Sequence, residues 1–215
     1  MDGAHAPGMV PLDLNALGAA YYTGNCRKWV CAPKGSAFLH VRRDRQKGVH
    51  PLVVSHGANS PRSDRSPFRL EFDWTGTADP TAFLTVPEAI RYMGSLLPGG
   101  WPALMAHNRR TALAARDRLA AALGVPAPAP DSMIGSLAAL PVPAGFFPAA
   151  LPRTRDPLQA ALFDRHRLEL PVFTWPALSC RLLRVSAQLY NSAADYERLA
   201  AALGALGAVG RPAGS

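Results

Sequence analysis

Cysteine is scarce in this chain of 215 residues: Cys26, Cys31 and Cys180 are all it has. An odd number without paired metal-ligand spacing excludes a disulfide scaffold and a zinc cluster, and fits a reducing, cytoplasmic setting. Lysine is equally scarce, with Lys28, Lys34 and Lys47 the only ones among 23 basic residues. No apolar run approaches the length of a membrane span, and no charged leader with an apolar stretch opens the chain. A soluble, non-exported protein is therefore expected. Acids are too few to balance the bases, leaving a formal charge of +8. Arg42, Arg43, Arg62, Arg109, Arg110, Arg181 and Arg184 are scattered rather than interleaved with aromatics in a run. The charge therefore reads as solvated surface, and nucleic acid is not the expected partner. What is plentiful is apolar content, 48%, enough for a real core.

Turn and capping chemistry divides the chain. Residues 2–8 read as a loop, and Leu12, Leu14 and Leu17 after Pro11 as a short helix ended by Gly18. Tyr21 and Tyr22 read as a brief strand, 24–28 as a turn, and 35–42 and 51–55 as strands. After a polar loop at 58–66 and the turn EFDWTGTAD at 71–79, Pro80 opens a helix expected to run through Leu97. A second, amphipathic helix runs from about Trp101 to Leu123, with Leu104, Leu113, Leu119 and Leu123 inward and arginines outward. The run VPAPAPD at 125–131 reads as a stiff linker near a boundary. Beyond it come a strand (136–142), a helix (156–167), strands at 170–175 and 181–189, and a helix (196–203) capped by Asn191, Ser192 and Asp195. The tail from Gly204 is expected to fray. This order is a small α+β layer, with no internal repeat.

Chemistry is concentrated in residues 1–28, MDGAHAPGMVPLDLNALGAAYYTGNCRK. An acid, Asp2, and an imidazole, His5, precede a lysine that follows a polar turn. Asp2 could hold a protonated heteroaromatic nitrogen and Lys28 could bond an aldehyde, the two jobs a pyridoxal phosphate protein assigns to side chains. Spacing alone leaves alternatives open: Lys28 also reads as a surface lysine with Lys34 as its competitor, and Asp2 as a loop-capping acid.

Four ordered segments, DGAHAPG, TGNCRKWVCAPKGSAFLHVRR, EFDWTGTADPTAF and LRVSAQLYNSAADYERLAAAL, resemble class V aminotransferases of fold-type I, within them the isopenicillin N epimerase-like group. The resemblance covers nearly the whole chain. It implies an α/β fold comprising the C-terminal part of the cofactor-binding large domain (1–100), a connecting helix (101–124) and a small C-terminal α+β domain (125–215). It implies pyridoxal 5′-phosphate as cofactor and an amino acid as substrate, with the enzyme acting at the α-carbon as an isomerase, a transferase or a lyase. Asp2 matches the acid that pairs with the pyridine nitrogen, His5 the residue beside the ring oxygen, and Lys28 the lysine that bonds the cofactor. Asn25 stands where relatives place a phosphate-binding hydroxyl. Arg27 stands where they place histidine, and a guanidinium can pair with phosphate. Gly76 and Thr77, in the WTGT turn, match residues that reach the phosphate of a partner subunit, which implies a homodimer. Arg184 matches the arginine that takes the substrate α-carboxylate, with Arg181 its nearest rival, and His56 is a candidate for the substrate rim. Cys180 reads as a buried structural cysteine rather than a desulfurase nucleophile. No metal is expected.

The family also carries strands, a phosphate-cradling loop and a ring-covering aromatic upstream of DGAH. An apolar residue, often valine, stands there before the aspartate, where this chain has Met1. The expectations that follow are a misplaced start or a truncated gene, low solubility or oligomerisation, and weak or absent activity for this chain alone. The rival expectations are a non-catalytic remnant that only associates with another chain, and a C–S lyase or desulfurase-like relative.

Overall fold

A computed structural model describes residues 1–148, 155–177 and 179–209. The chain divides into two compact units, Met1–Trp101 and Pro102–Ser215.

In the first unit, helix α1 (Leu14–Leu17) is closed at both ends by its own sequence. The Asp13 carboxylate accepts the Asn15 and Ala16 N–H groups, and Gly18 ends the helix in the left-handed conformation. Strands β1 (Tyr21–Asn25) and β2 (Ala37–Val41) pair antiparallel, with Tyr21 opposite Val41 and Asn25 opposite Ala37. Gly24 and Asn25, expected in a turn, thus belong to a strand. Residues 51–55, expected as a strand, form bends leading into a 3₁₀ turn, His56–Asn59. Leu52, Val53 and Val54 are all exposed there, so apolar composition without a pairing edge makes no strand. A helix α2 (Pro67–Asp73), not anticipated, starts with Pro67 in its first turn and Ser66 capping the Arg69 N–H. The helix expected over 80–97 is two, α3 (Thr81–Leu84) and α4 (Val86–Ser95). Pro87 lies in the first turn of α4, and its missing N–H breaks the ladder between them.

The second unit is built on α5 (Gly100–Leu123), whose Leu104, Ala112, Ala115, Leu119 and Leu123 are buried. Leu113, expected inward, is only half-buried; Ala112 and Ala115 face the core there instead. Arg116, expected outward, is 5% exposed; its guanidinium pairs with Asp117 and Asp131 at 2.7 Å each, strapping the start of the 3₁₀ turn Asp131–Met133 onto the helix. Strands β3 (Leu137–Pro141), β4 (Val172–Thr174) and β5 (Arg181–Ser186) form an antiparallel sheet in the order β3-β5-β4. With helices α6 (Pro157–His166) and α7 (Ala193–Val209), the order is the expected strand, helix, strand, strand, helix. Alternate strand residues, Ala138, Leu140, Val172, Leu183 and Val185, join Leu119, Leu158, Leu162, Leu199 and Leu203 in one core. Each fully buried leucine contributes about 1.5–3 kcal/mol. The frayed tail expected from Gly204 is helical to Val209 instead, because Leu206 packs into that core at 2% exposure; residues 210–215 lie outside the described ones.

Candidate cofactor site

The DGAH loop is tied to β1. The Met1 amino group donates to the Tyr21 carbonyl at 2.7 Å, Thr23 N–H to the Met1 carbonyl at 3.2 Å, and Gly3 N–H to the Thr23 carbonyl at 2.9 Å. Asp2 therefore bridges Thr23 in parallel register. It sits at a sheet edge, where composition predicts only a loop. Its carboxylate accepts the Ala4 N–H at 2.8 Å and is otherwise exposed. Under it lies Tyr22, 2% exposed and stacked on Phe38 at 6.1 Å. Burial first, and the Asp2 charge second, push the Tyr22 hydroxyl above its ordinary pKa. Two glycines let the loop pack this closely. A Cβ on Gly3 would stand 1.8 Å from the Tyr22 hydroxyl, and one on Gly8, whose φ is +80°, 2.8 Å from the Trp29 carbonyl carbon.

Beyond β1 the chain turns through Arg27 and Lys28. Cys26 N–H donates to the Ser36 carbonyl and Ala32 N–H to the Cys26 carbonyl, each at 3.1 Å, and Cys31 N–H to the Lys28 carbonyl at 3.3 Å. Cys26, Val30 and Ala32 form a small apolar base with Phe38, Val86, Ala89 and Trp101, and burial pushes the Cys26 thiol up. Trp29 is 6% exposed, and its indole N–H donates to His5 Nδ1 at 3.2 Å. The contact joins residues 24 positions apart, so no local motif signals it; it binds the DGAH loop to the Lys28 turn. Lys28 itself is half-buried, and its ammonium makes no ion pair or hydrogen bond among the described residues. Lys34 is exposed, as is Arg27, while Asn25 is half-buried at the end of β1.

His56, Gly76 and Thr77 come together in a separate hollow of about 540 Å³ that Val54, Ser55, Ala58, Asn59 and Trp74 complete. The Ser55 hydroxyl closes it by donating to the Trp74 carbonyl at 2.5 Å. None of Asp2, His5, Asn25, Arg27 and Lys28 lines it, so the structure assembles the expected site residues as two groups within this unit.

In the second unit the two rival arginines of β5 have different fates. Arg181 is 7% exposed, and its guanidinium pairs with Asp156 at 3.3 Å and donates to the Phe147 and Pro148 carbonyls. Arg184 points to the other face of the strand, and its Nε is buried with no hydrogen-bond partner among the described residues. An orphaned guanidinium nitrogen costs free energy unless a ligand meets it. Cys180, expected to be buried in a strand, is exposed in the β4–β5 connection one residue before β5 begins. Among the described residues, no cluster of His, Cys, Asp and Glu could hold a metal ion, and no helix is long and apolar enough to cross a membrane.

No protein-family model matches the chain. It is 36% identical over 214 residues to isopenicillin N epimerase of Amycolatopsis lactamdurans, an alignment covering 94% of this chain and 51% of that protein. It is 34% identical over 220 residues to isopenicillin N epimerase of Streptomyces clavuligerus, covering 96% and 52%, and 29% identical over 220 residues to a probable chloroplastic L-cysteine desulfhydrase of Arabidopsis thaliana, covering 96% and 44%. The chain thus spans about half the length of the curated relatives it matches. Among solved structures it resembles a cysteine desulfurase of Thermococcus onnurineus, with a TM-score of 0.71 at 17% identity over 97% of this chain and 52% of that one. It also resembles alanine–glyoxylate aminotransferase of a Nostoc species, with a TM-score of 0.63 at 13% identity over 95% and 52%. These likenesses give the fold, the C-terminal half of a fold-type I protein. Sequence and fold agree: the chain is similar to about half the length of isopenicillin N epimerases, and its fold matches the C-terminal half of class V aminotransferase-like proteins, which makes pyridoxal 5′-phosphate the expected cofactor.

Proposed function

We propose that this chain supplies the lysine-bearing part of a pyridoxal phosphate enzyme that acts, like isopenicillin N epimerase, at the α-carbon of an amino acid. The observation that carries the reading is the clamp between the DGAH loop and the Lys28 turn, which puts a carboxylate, an imidazole and an uncommitted primary amine on one small piece of structure. That donor set fits the group: an anion for a ring nitrogen, a hydrogen-bonding ring for the ring oxygen and an amine for the aldehyde. Bound there, pyridoxal phosphate supplies an electron-accepting ring that acidifies the α-hydrogen.

In this reading Asp2 keeps the ring nitrogen protonated, His5 holds the ring oxygen, and Lys28 anchors the group and then moves the proton at the α-carbon. Asn25 and Arg27 meet the phosphate from one subunit. Gly76 and Thr77, whose hollow does not include Lys28, serve the site of a second copy, so the working form is a homodimer. The orphaned Nε of Arg184 favours that residue for the substrate carboxylate, since Arg181 is committed to Asp156. His56 stands beside Gly76 and Thr77 as a rim residue.

Adding pyridoxal phosphate to the chain is expected to give the visible absorbance band of the lysine-bound cofactor, lost in Lys28→Ala. Equal absorbance in the two proteins refutes the assignment. The desulfhydrase relatives favour a second reading, C–S bond cleavage at the same site; sulfide released from cysteine, without racemisation of the recovered amino acid, would select it.

A further inference from the structure

We propose that Trp29 is a positioning residue for His5: its buried indole N–H holds His5 in the one tautomer that keeps its proton on Nε2. The inference rests on the reading of His5 as the partner of the cofactor's ring oxygen.

An indole N–H can only donate, and when buried it takes a partner. Trp29 is 6% exposed, and the atom 3.2 Å from its Nε1 is His5 Nδ1. A ring nitrogen that accepts carries no proton, so neutral His5 bears its hydrogen on Nε2. The Nδ1–H tautomer, and the doubly protonated ring, would set two N–H groups against each other and leave the indole without an acceptor.

The surroundings make the contact hard to slip. Gly8, at φ +80°, lets the loop lie on the backbone of Trp29, where a Cβ would come within 2.8 Å, and Gly3 is bonded to Thr23 of β1. His5 therefore approaches Trp29 from a loop fixed at both ends. Trp29 also follows Lys28 directly, so one bond aligns the imidazole with the lysine turn and chooses which of its nitrogens donates. A ring oxygen carrying negative charge needs a donor, and Nε2–H is such a donor.

The test needs no cofactor. In the full chain labelled with ¹⁵N-histidine, His5 is expected to show an unprotonated Nδ1 and a protonated Nε2. In Trp29→Phe, which keeps an aromatic ring and removes the donor, the preference for Nε2–H should fall about fivefold, the worth of one neutral hydrogen bond. Nδ1–H in the unmutated chain, or an unchanged ratio in Trp29→Phe, overturns the proposal. If that variant does not fold, the Trp29 indole proton in the unmutated chain decides: it should move upfield in His5→Phe, and an unmoved resonance is contrary. The expected tautomer with no cofactor bonding to Lys28 refutes only the proposed function. Cofactor bonding with His5 protonated on Nδ1 refutes only this inference.

Discussion

The two units keep their apolar residues differently. Pro102–Ser215 gathers leucines from two strands and three helices into one core, with Leu119, Leu140, Leu158, Leu162, Leu183 and Leu203 at 0% exposure. Met1–Trp101 has a base of three small buried residues, Cys26, Val30 and Ala32, and exposes Leu52, Val53, Val54, Trp74, Phe83, Leu84, Ile90 and Tyr92. Yet most candidate site residues lie in the unit with the smaller core. There, order comes from backbone bonds, close-packed glycines and the Trp29–His5 contact rather than from mass burial. A core unit resists unfolding as a whole, whereas a unit held by specific contacts loses its geometry piece by piece.

The largest contrast is expected between two leucines. Leu183→Ala removes a fully buried side chain and should cost about 2–5 kcal/mol, read as an earlier denaturant midpoint of the second unit. Leu52→Ala, at a side chain wholly in water, should stay within about 0.5 kcal/mol. Comparable losses at both sites would break the comparison. Gly8→Ala should strain the loop by about 1–3 kcal/mol, raising amide exchange over residues 1–6 while the second unit's midpoint stays put. An effect on both units would show that the loop is not a local device.

The smallest effect concerns alkaline stability. Tyr196, 6% exposed, donates to the Ser186 carbonyl at 2.8 Å, and burial first, then the charge of Asp195, pushes its hydroxyl from the ordinary tyrosine range up to about 12. The neutral form is favoured in the folded chain, so its contribution is fully present below pH about 10 and is lost as pH rises towards about 12. Tyr196→Phe should cost about 1 kcal/mol at neutral pH through the lost bond and flatten that alkaline decline. An unchanged slope would place the titration elsewhere.

Local chemistry made much of the fold legible. Asp13 and Gly18 bracket α1, Pro157 and the Asp156 carboxylate begin α6, and Ser192 with Asp195 begins α7; each signal acts within a few residues. Failures came where distance mattered. The strand expected at 51–55 lacked a partner, and α7 continued past Gly204 because burial of Leu206 outweighs two helical glycines; Pro87, which split one helix into two, was instead a local signal. Arg116 and Cys180 exchanged their expected environments, since exposure depends on what packs over a residue.

By itself the sequence carried the resemblance to class V aminotransferases, the expected cofactor class and the identity of candidates such as Asp2, His5 and Lys28, because motif order and residue chemistry are written along the chain. Tertiary structure decided which of two β5 arginines is committed to Asp156, where Asp2 is anchored, and which nitrogen of His5 faces the Trp29 indole. Those outcomes depend on neighbours brought together from 20 or more positions away, as Met1 is with Tyr21 and His5 with Trp29. Such contacts form only when loop and strand pack, and no local pattern records them.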